Sequence, residues 1–171
     1  SLSSVATSVS AEEVGRNLAK NLNAQFVPFL SPVVVSNQKV RDSLFEEESI
    51  AKTLQLARGA HVALVGIGSA GSSSSEMVFS EFKVSKAERD ELTKDYAGDI
   101  AARFYKKDGT PLSAKLDSRV IGLTLEEIKK IPRVIGVASG AEKVLGVVGA
   151  ARAGLIDTLI VDLACANSVV K

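Results

Sequence analysis

The stretch Arg133-Val134-Ile135-Gly136-Val137-Ala138-Ser139-Gly140-Ala141-Glu142-Lys143 decides how this chain folds. A short apolar run ends in Ser-Gly and passes directly into a helical pattern with a lysine in its first turn. Amide groups at a helix N-terminus, opened by a glycine and backed by a cation, suit an anion. The continuation, Ala150-Ala151-Arg152-Ala153-Gly154-Leu155-Ile156-Asp157-Thr158-Leu159-Ile160-Val161-Asp162, reads as the end of that helix, a glycine stop and a second strand. Strand 134–138, helix 141–153 and strand 159–162 predict parallel pairing through a helical crossover, followed by a final helix.

Working outward, residues 61–69 (His-Val-Ala-Leu-Val-Gly-Ile-Gly-Ser) form the clearest buried strand and end in a glycine-rich turn. Residues 70–75, with four consecutive serines, read as a mobile surface loop. Ser85-Lys86-Ala87-Glu88 has capping-box spacing and opens a helix that ends near Tyr96. Residues 98–105 then form a strand, and Asp108-Gly109 a tight turn. Residues 119–123 are a short strand, and Thr124-Leu125-Glu126-Glu127 a further capping box. Before all of these, Ser10-Ala11-Glu12-Glu13 caps a helix over 11–21. Residues 26–30 form a short strand, with extended chain at 33–35. Residues 37–58 hold one or two helices with Leu44, Ile50, Leu54 and Leu56 as core candidates. The run Glu46-Glu47-Glu48 reads as the solvated start of the second helix rather than a metal site.

Strands alternating with helices predict an α/β fold: three layers, α/β/α, around a mainly parallel sheet covered on both faces. The 171 residues suit a single domain with a sizeable aliphatic core, since 46% are hydrophobic and only 5% aromatic. The net charge is +1, with 21 basic and 20 acidic residues and no basic block, so no nucleic-acid surface is indicated. No apolar run is long enough to cross a bilayer, and no membrane partner is expected. A lone cysteine, Cys165, fits a reducing cytoplasm and a buried apolar role. The first eight residues do not read as a signal peptide.

In parallel sheets, ligands bind beyond the carboxyl ends of the strands. Gly66-Ile67-Gly68-Ser69 offers backbone amides and a hydroxyl there, or simply lets a strand turn. The third glycine of a dinucleotide-binding loop is missing, as is any Walker A pattern. Gly140 and Lys143 suit a phosphate; the bland reading of Lys143 is an ordinary surface lysine. Asp99, in Gly98-Asp99-Ile100, is an acceptor for sugar hydroxyls or a turn acid. His61 is the sole histidine and reads as structural, as do Arg119 and Arg133 at strand starts. No metal site, cofactor site or catalytic triad is assembled from these residues.

Residues 62–69, 98–104, 108–111, 119–122 and 131–162 together resemble the effector-binding domain of SorC/DeoR-type bacterial transcription regulators. The resemblance implies a sheet like that of ribose-5-phosphate isomerase and glucosamine-6-phosphate deaminase. It also implies a phosphorylated-sugar effector and a homodimer or homotetramer that meets DNA through a helix-turn-helix. That module is not found in these residues, and neither are the family's first strand and its Gly/Ser/Thr-rich phosphate loop, so the chain reads as a single-domain fragment. Carried over by position, Asp99 holds sugar hydroxyls with the backbone of Ile100 and Ala101. Gly140 and Lys143 hold phosphate or nearby oxygens, and Gly66, Gly68 and Ser69 line the pocket. Ser139 replaces a common glycine, and within residues 161–166 the acidic and threonine residues that the family often carries after Asp162 are lacking. Three functions compete: a sensor without catalytic residues, an isomerase or deaminase on the same fold, and an oligomerisation domain that binds no small anion. An enzyme needs a second acid or base beside Asp99 and Lys143, and none is evident.

Overall fold

The computed structural model describes residues 11–170, apart from the side chains of 73–75; Ser10, the expected first N-cap, lies outside them. Its centre is a parallel sheet of strands β1 (Val62–Gly66), β5 (Arg133–Ala138) and β6 (Thr158–Val161), in the order β1-β5-β6. Val62 pairs with Arg133 and Ile135 with Thr158, so all three strands run in one direction and end at one edge. Asp157 fixes the start of β6 against that of β5: its backbone N–H donates to the Val134 carbonyl, and its carboxylate accepts from the Val134 N–H at 2.7 Å.

The chain does not stay in this sheet. Ile67 donates its N–H to the Val137 carbonyl, after which Gly68–Ser69 (β2) leaves for a second, antiparallel sheet. There β2 pairs with β3 (Tyr96–Ile100), and β3 with β4 (Arg103–Lys106). The expected single strand over 61–69 is therefore two strands in two sheets. The expected strand over 98–105 is a hairpin. Its two-residue turn, Ala101-Ala102, has φ of 52° and 61°, the left-handed conformation that the usual Asn-Gly signal announces and alanine does not.

Nine α-helices accompany the strands among the described residues. Helix α1 (Ala11–Asn21) has the expected bounds, and residues 37–58 form two helices, α2 (Gln38–Glu46) and α3 (Glu48–Arg58). Ile50 and Leu54 are one turn apart and buried, whereas Leu56 falls on the opposite face and is 63% exposed. The serine run opens α4 (Ser73–Phe82) instead of forming a loop; serine is favoured where a helix begins, and Val78, Phe79 and Phe82 supply the buried face. Helix α5 (Lys86–Leu92) stops short of Tyr96, which belongs to β3. The Thr124 capping box is present at the start of α7 (Leu125–Lys129), after the short α6 (Ala114–Asp117). The helix expected over 141–153 opens as a tight 3-10 turn, Ala141–Lys143, and continues as α8 (Val144–Arg152); α9 (Leu163–Val169) follows β6.

Two expected strands are missing for identifiable reasons. Residues 26–30 contain Pro28, which has no N–H for a ladder, and Phe26 instead lies beneath the Arg16 guanidinium, 4.7 Å from ring centroid to charge. Residues 119–123 make only one bridge, Val34 to Val120. The carbonyls that a neighbouring strand would use are taken by the buried Arg103, whose guanidinium donates to the carbonyls of Asp117, Val120, Gly122 and Leu123.

The main core joins Val134 and Ala138 of β5 to Ile128 of α7, Val147 and Ala150 of α8, Cys165 of α9 and Tyr105 of β4. These elements cover one face of the parallel sheet. Full two-sided cover was expected, yet along β1 exposure alternates, and Val62, Leu64 and Ile160 remain about half exposed. A second core stacks Phe79 on Phe104, with ring centroids 4.5 Å apart.

Candidate functional site

Where β1 and β5 end, the backbone opens into a cavity of about 430 Å³. It is lined by Gly66, Ile67, Gly68 and Asp99 on one side, and by Val137, Ala138, Ser139 and Lys143 on the other. The carboxyl ends of parallel strands leave such a crevice because the chain departs there in different directions. Here β1 turns into β2, and β5 turns at Gly140, whose φ of 104° lies where glycine is at ease.

Asp99 is the buried charge of the cavity, only 7% exposed. Tyr96 donates its hydroxyl to Asp99 Oδ1 at 2.7 Å. Burial pushes the Asp99 carboxyl above the ordinary carboxylate range; the Tyr96 hydrogen bond and the positive charge of Lys143 act in the other direction. Gly68 pairs with Asp99 across the β2–β3 ladder, and a Cβ on Gly68 would clash with Asp99 Oδ1. The glycine is therefore required by Asp99. Gly66 has no such neighbour within 4 Å.

Behind the cavity, glycines let α8 press against the second sheet. A Cβ on Gly98 would meet the Gly68 carbonyl and Gly146 Cα, and one on Gly146 would meet the same carbonyl. Ser69, fully buried, accepts from the Gly146 N–H at 3.0 Å, and Tyr105 donates to the Gly146 carbonyl at 2.9 Å. Burial raises the Tyr105 phenol far above its ordinary value, so it stays protonated.

The other rim is organised by Asp162, which ends β6 and caps α9. One carboxylate oxygen accepts from the Cys165 N–H at 2.8 Å. The other accepts from Ser139 Oγ at 2.6 Å and from the Gly140 N–H at 2.9 Å. The Ser139 hydroxyl, with the amides of Cys165 and Gly140, holds this carboxyl below its ordinary range. The Gly140 amide is thus already engaged by a carboxylate, and the α8 entrance carries an internal anion.

Of the residues expected at a site, Gly66, Gly68, Asp99 and Lys143 line the cavity together. Ser69 is turned into the α8 contact, Ile100 is fully buried, Ala101 is exposed in the hairpin turn, and Gly140 forms the turn beside the rim; none of these four is among the lining residues. Two residues that organise the cavity lie outside the expected set. Asp162 had a legible signal, an aspartate between a strand and a helix, where N-caps belong. Tyr96 had none, because its position depends on an irregularity in β3. His61 is exposed, and Cys165 is buried in the core with its thiol pushed up by burial. No cluster of metal-ligating side chains occurs among the described residues, and no described helix is long and apolar enough to cross a membrane.

Residues 1–171 match the family model described as "Putative sugar-binding domain". The chain belongs to this sugar-binding domain family. The relatives of this sugar-binding-family chain are transcription regulators. It is 28% identical over 140 residues to the deoxyribonucleoside regulator of Bacillus subtilis, covering 82% of this chain and 44% of that one. The solved domain of a transcriptional repressor from Vibrio fischeri is 35% identical, with a TM-score of 0.81 over 94% of this chain and 64% of that one. The full-length sorbitol operon regulator SorC of Klebsiella pneumoniae is 25% identical with a TM-score of 0.81, over 91% of this chain and 50% of that one. The chain thus spans less than half the length of the deoxyribonucleoside regulator and about half that of full-length SorC.

Proposed function

We propose that this sugar-binding-family chain is the single effector-sensing domain of a bacterial transcription regulator, and that its cavity takes a phosphorylated sugar. The observation that carries the reading is the pairing of Asp99 and Lys143 on the walls of one cavity at the strand ends. A buried carboxylate suits hydroxyl donors, and an ammonium suits a phosphate or a neighbouring oxygen. Gly66 and Gly68 let the ligand lie against bare backbone. In this reading Ser69 supports the wall from behind, and the Ile100 and Ala101 backbone extends the hydroxyl-binding side. Gly140 serves the phosphate side in exchange with the Asp162 carboxylate.

The relatives named above are regulators, and the sensor reading follows them: binding without turnover, with the cavity's ligand biasing an oligomer attached to a DNA-binding module. A dimer or tetramer in the cytoplasm meets DNA through that module. The isomerase or deaminase reading needs a carboxylate or histidine beside Asp99 and Lys143, and none is among the residues that line the cavity.

A thermal-shift series with sorbitol 6-phosphate and ribose 5-phosphate, beside sorbitol, ribose and inorganic phosphate, tests this. A bound sugar phosphate at about 100 times its Kd should add about 2.7 kcal/mol. For a chain of this size that is a rise of roughly 5–10 °C in Tm. Lys143→Ala should reduce the rise, and neither sugar phosphate should be converted. Conversion would overturn the sensor reading in favour of the enzyme, and equal shifts from the unphosphorylated sugars would overturn the role of Lys143.

A further inference from the structure

Tyr96 and Asp99 should not meet on a regular strand. Alternation places residues 96, 98 and 100 on one face of β3 and residues 97 and 99 on the other. The Tyr96 hydroxyl nevertheless donates to Asp99 Oδ1 at 2.7 Å. The β3–β4 register shifts between Tyr96 and Gly98, and such a bulge moves the residue before it to the opposite face. The ring is 2% exposed and braced edge-on by Phe79 at 5.3 Å and by Phe104 at 5.4 Å. The hydroxyl is therefore presented from a rigid aromatic support. Asp99 Oδ2 accepts no hydrogen bond from a described residue, yet no described side-chain oxygen is both buried and unpartnered, so Oδ2 is reachable from the cavity.

We propose that Tyr96 is a positioning residue: it ties down one oxygen of Asp99 and so aims the other at a hydroxyl donor of the bound sugar. The inference rests on the sugar-phosphate reading of the cavity and deepens it. It predicts selectivity for ligands that carry a hydroxyl where Oδ2 points, whichever sugar supplies it. The other titratable groups facing Asp99 are Lys143, on the 3-10 turn, and Tyr105 on β4, whose hydroxyl is committed to the Gly146 carbonyl.

The test uses Tyr96→Phe, which keeps the ring and its packing, beside Asp99→Asn. The Asp99 carboxyl is titrated by carbon NMR without ligand, and sorbitol 6-phosphate, ribose 5-phosphate and inorganic phosphate are then titrated by calorimetry. Tyr96→Phe should move the Asp99 titration to higher pH. It should weaken sugar-phosphate binding about tenfold, the scale of one hydrogen bond to a charged group, and leave inorganic phosphate unchanged. An unchanged titration with unchanged affinity shows that Tyr96 only fills space, and overturns the proposal. Sugar-phosphate binding that is absent, or indifferent to Asp99→Asn, overturns the reading of the cavity instead. In that case the ligand-free titration still decides whether Tyr96 holds Asp99.

Discussion

Asp99 illustrates how a buried carboxyl at the proposed site weakens the fold that carries it. A carboxyl whose value is raised in the folded state binds its proton more tightly folded than unfolded. Its contribution to stability is complete in acid and is lost as pH rises through the folded value, so near neutrality the ionised, desolvated group is a cost. Asp99→Asn keeps an acceptor for Tyr96 and removes the charge. Its Tm at pH 7 should exceed that of the parent, with the gap closing as the pH is lowered, while sugar-phosphate binding is lost; thermal melts across pH 4–8 read this. Arg103 behaves oppositely. Its four carbonyl partners shape residues 117–123, and Arg103→Leu leaves them without their donor. Denaturant unfolding should show a loss of about 3 kcal/mol or more, and an intact Tm would contradict the role given to this guanidinium. Asp99 is legible as a candidate through the family resemblance, since a lone carboxylate beside an apolar run reads equally well as a turn acid. Arg103 was not, since its long-range partners lie 14–20 residues away.

At the scale of elements, legibility followed local chemistry. The Thr124 capping box, the Asp108-Gly109 turn and helix α1 depend on residues within a few positions of one another, and they appear as the spacing predicts. The departure of β2 from β1 and the hairpin at Ala101-Ala102 depend on which strand lies alongside, and no local signal announces either. The hairpin makes a testable case. Two alanines in left-handed conformation carry strain that glycine lacks. Ala101 is the exposed member, so Ala101→Gly should stabilise the protein by about 1 kcal/mol in chemical denaturation. A loss of stability would show that the turn is not strained as described.

For the whole molecule, the α/β class and the parallel pairing of β5 with β6 follow from the strand–helix–strand unit at residues 133–162, whereas the place of β1 beside β5 does not; the cavity sits at the strand ends, where parallel sheets take ligands. The second, antiparallel sheet was hidden because residues 61–69 form a single apolar stretch that serves both sheets. That sharing is what brings Gly68 and Asp99 against the ends of β1 and β5, and it makes the cavity a property of the assembled molecule rather than of any one motif. The most direct measurement is amide chemical-shift mapping of the chain during titration with sorbitol 6-phosphate and ribose 5-phosphate. Saturable changes gathered at Gly66, Gly68, Asp99, Gly140 and Lys143 are the predicted result. Changes gathered elsewhere, or none with either sugar phosphate, would contradict a sugar-phosphate site at the strand ends.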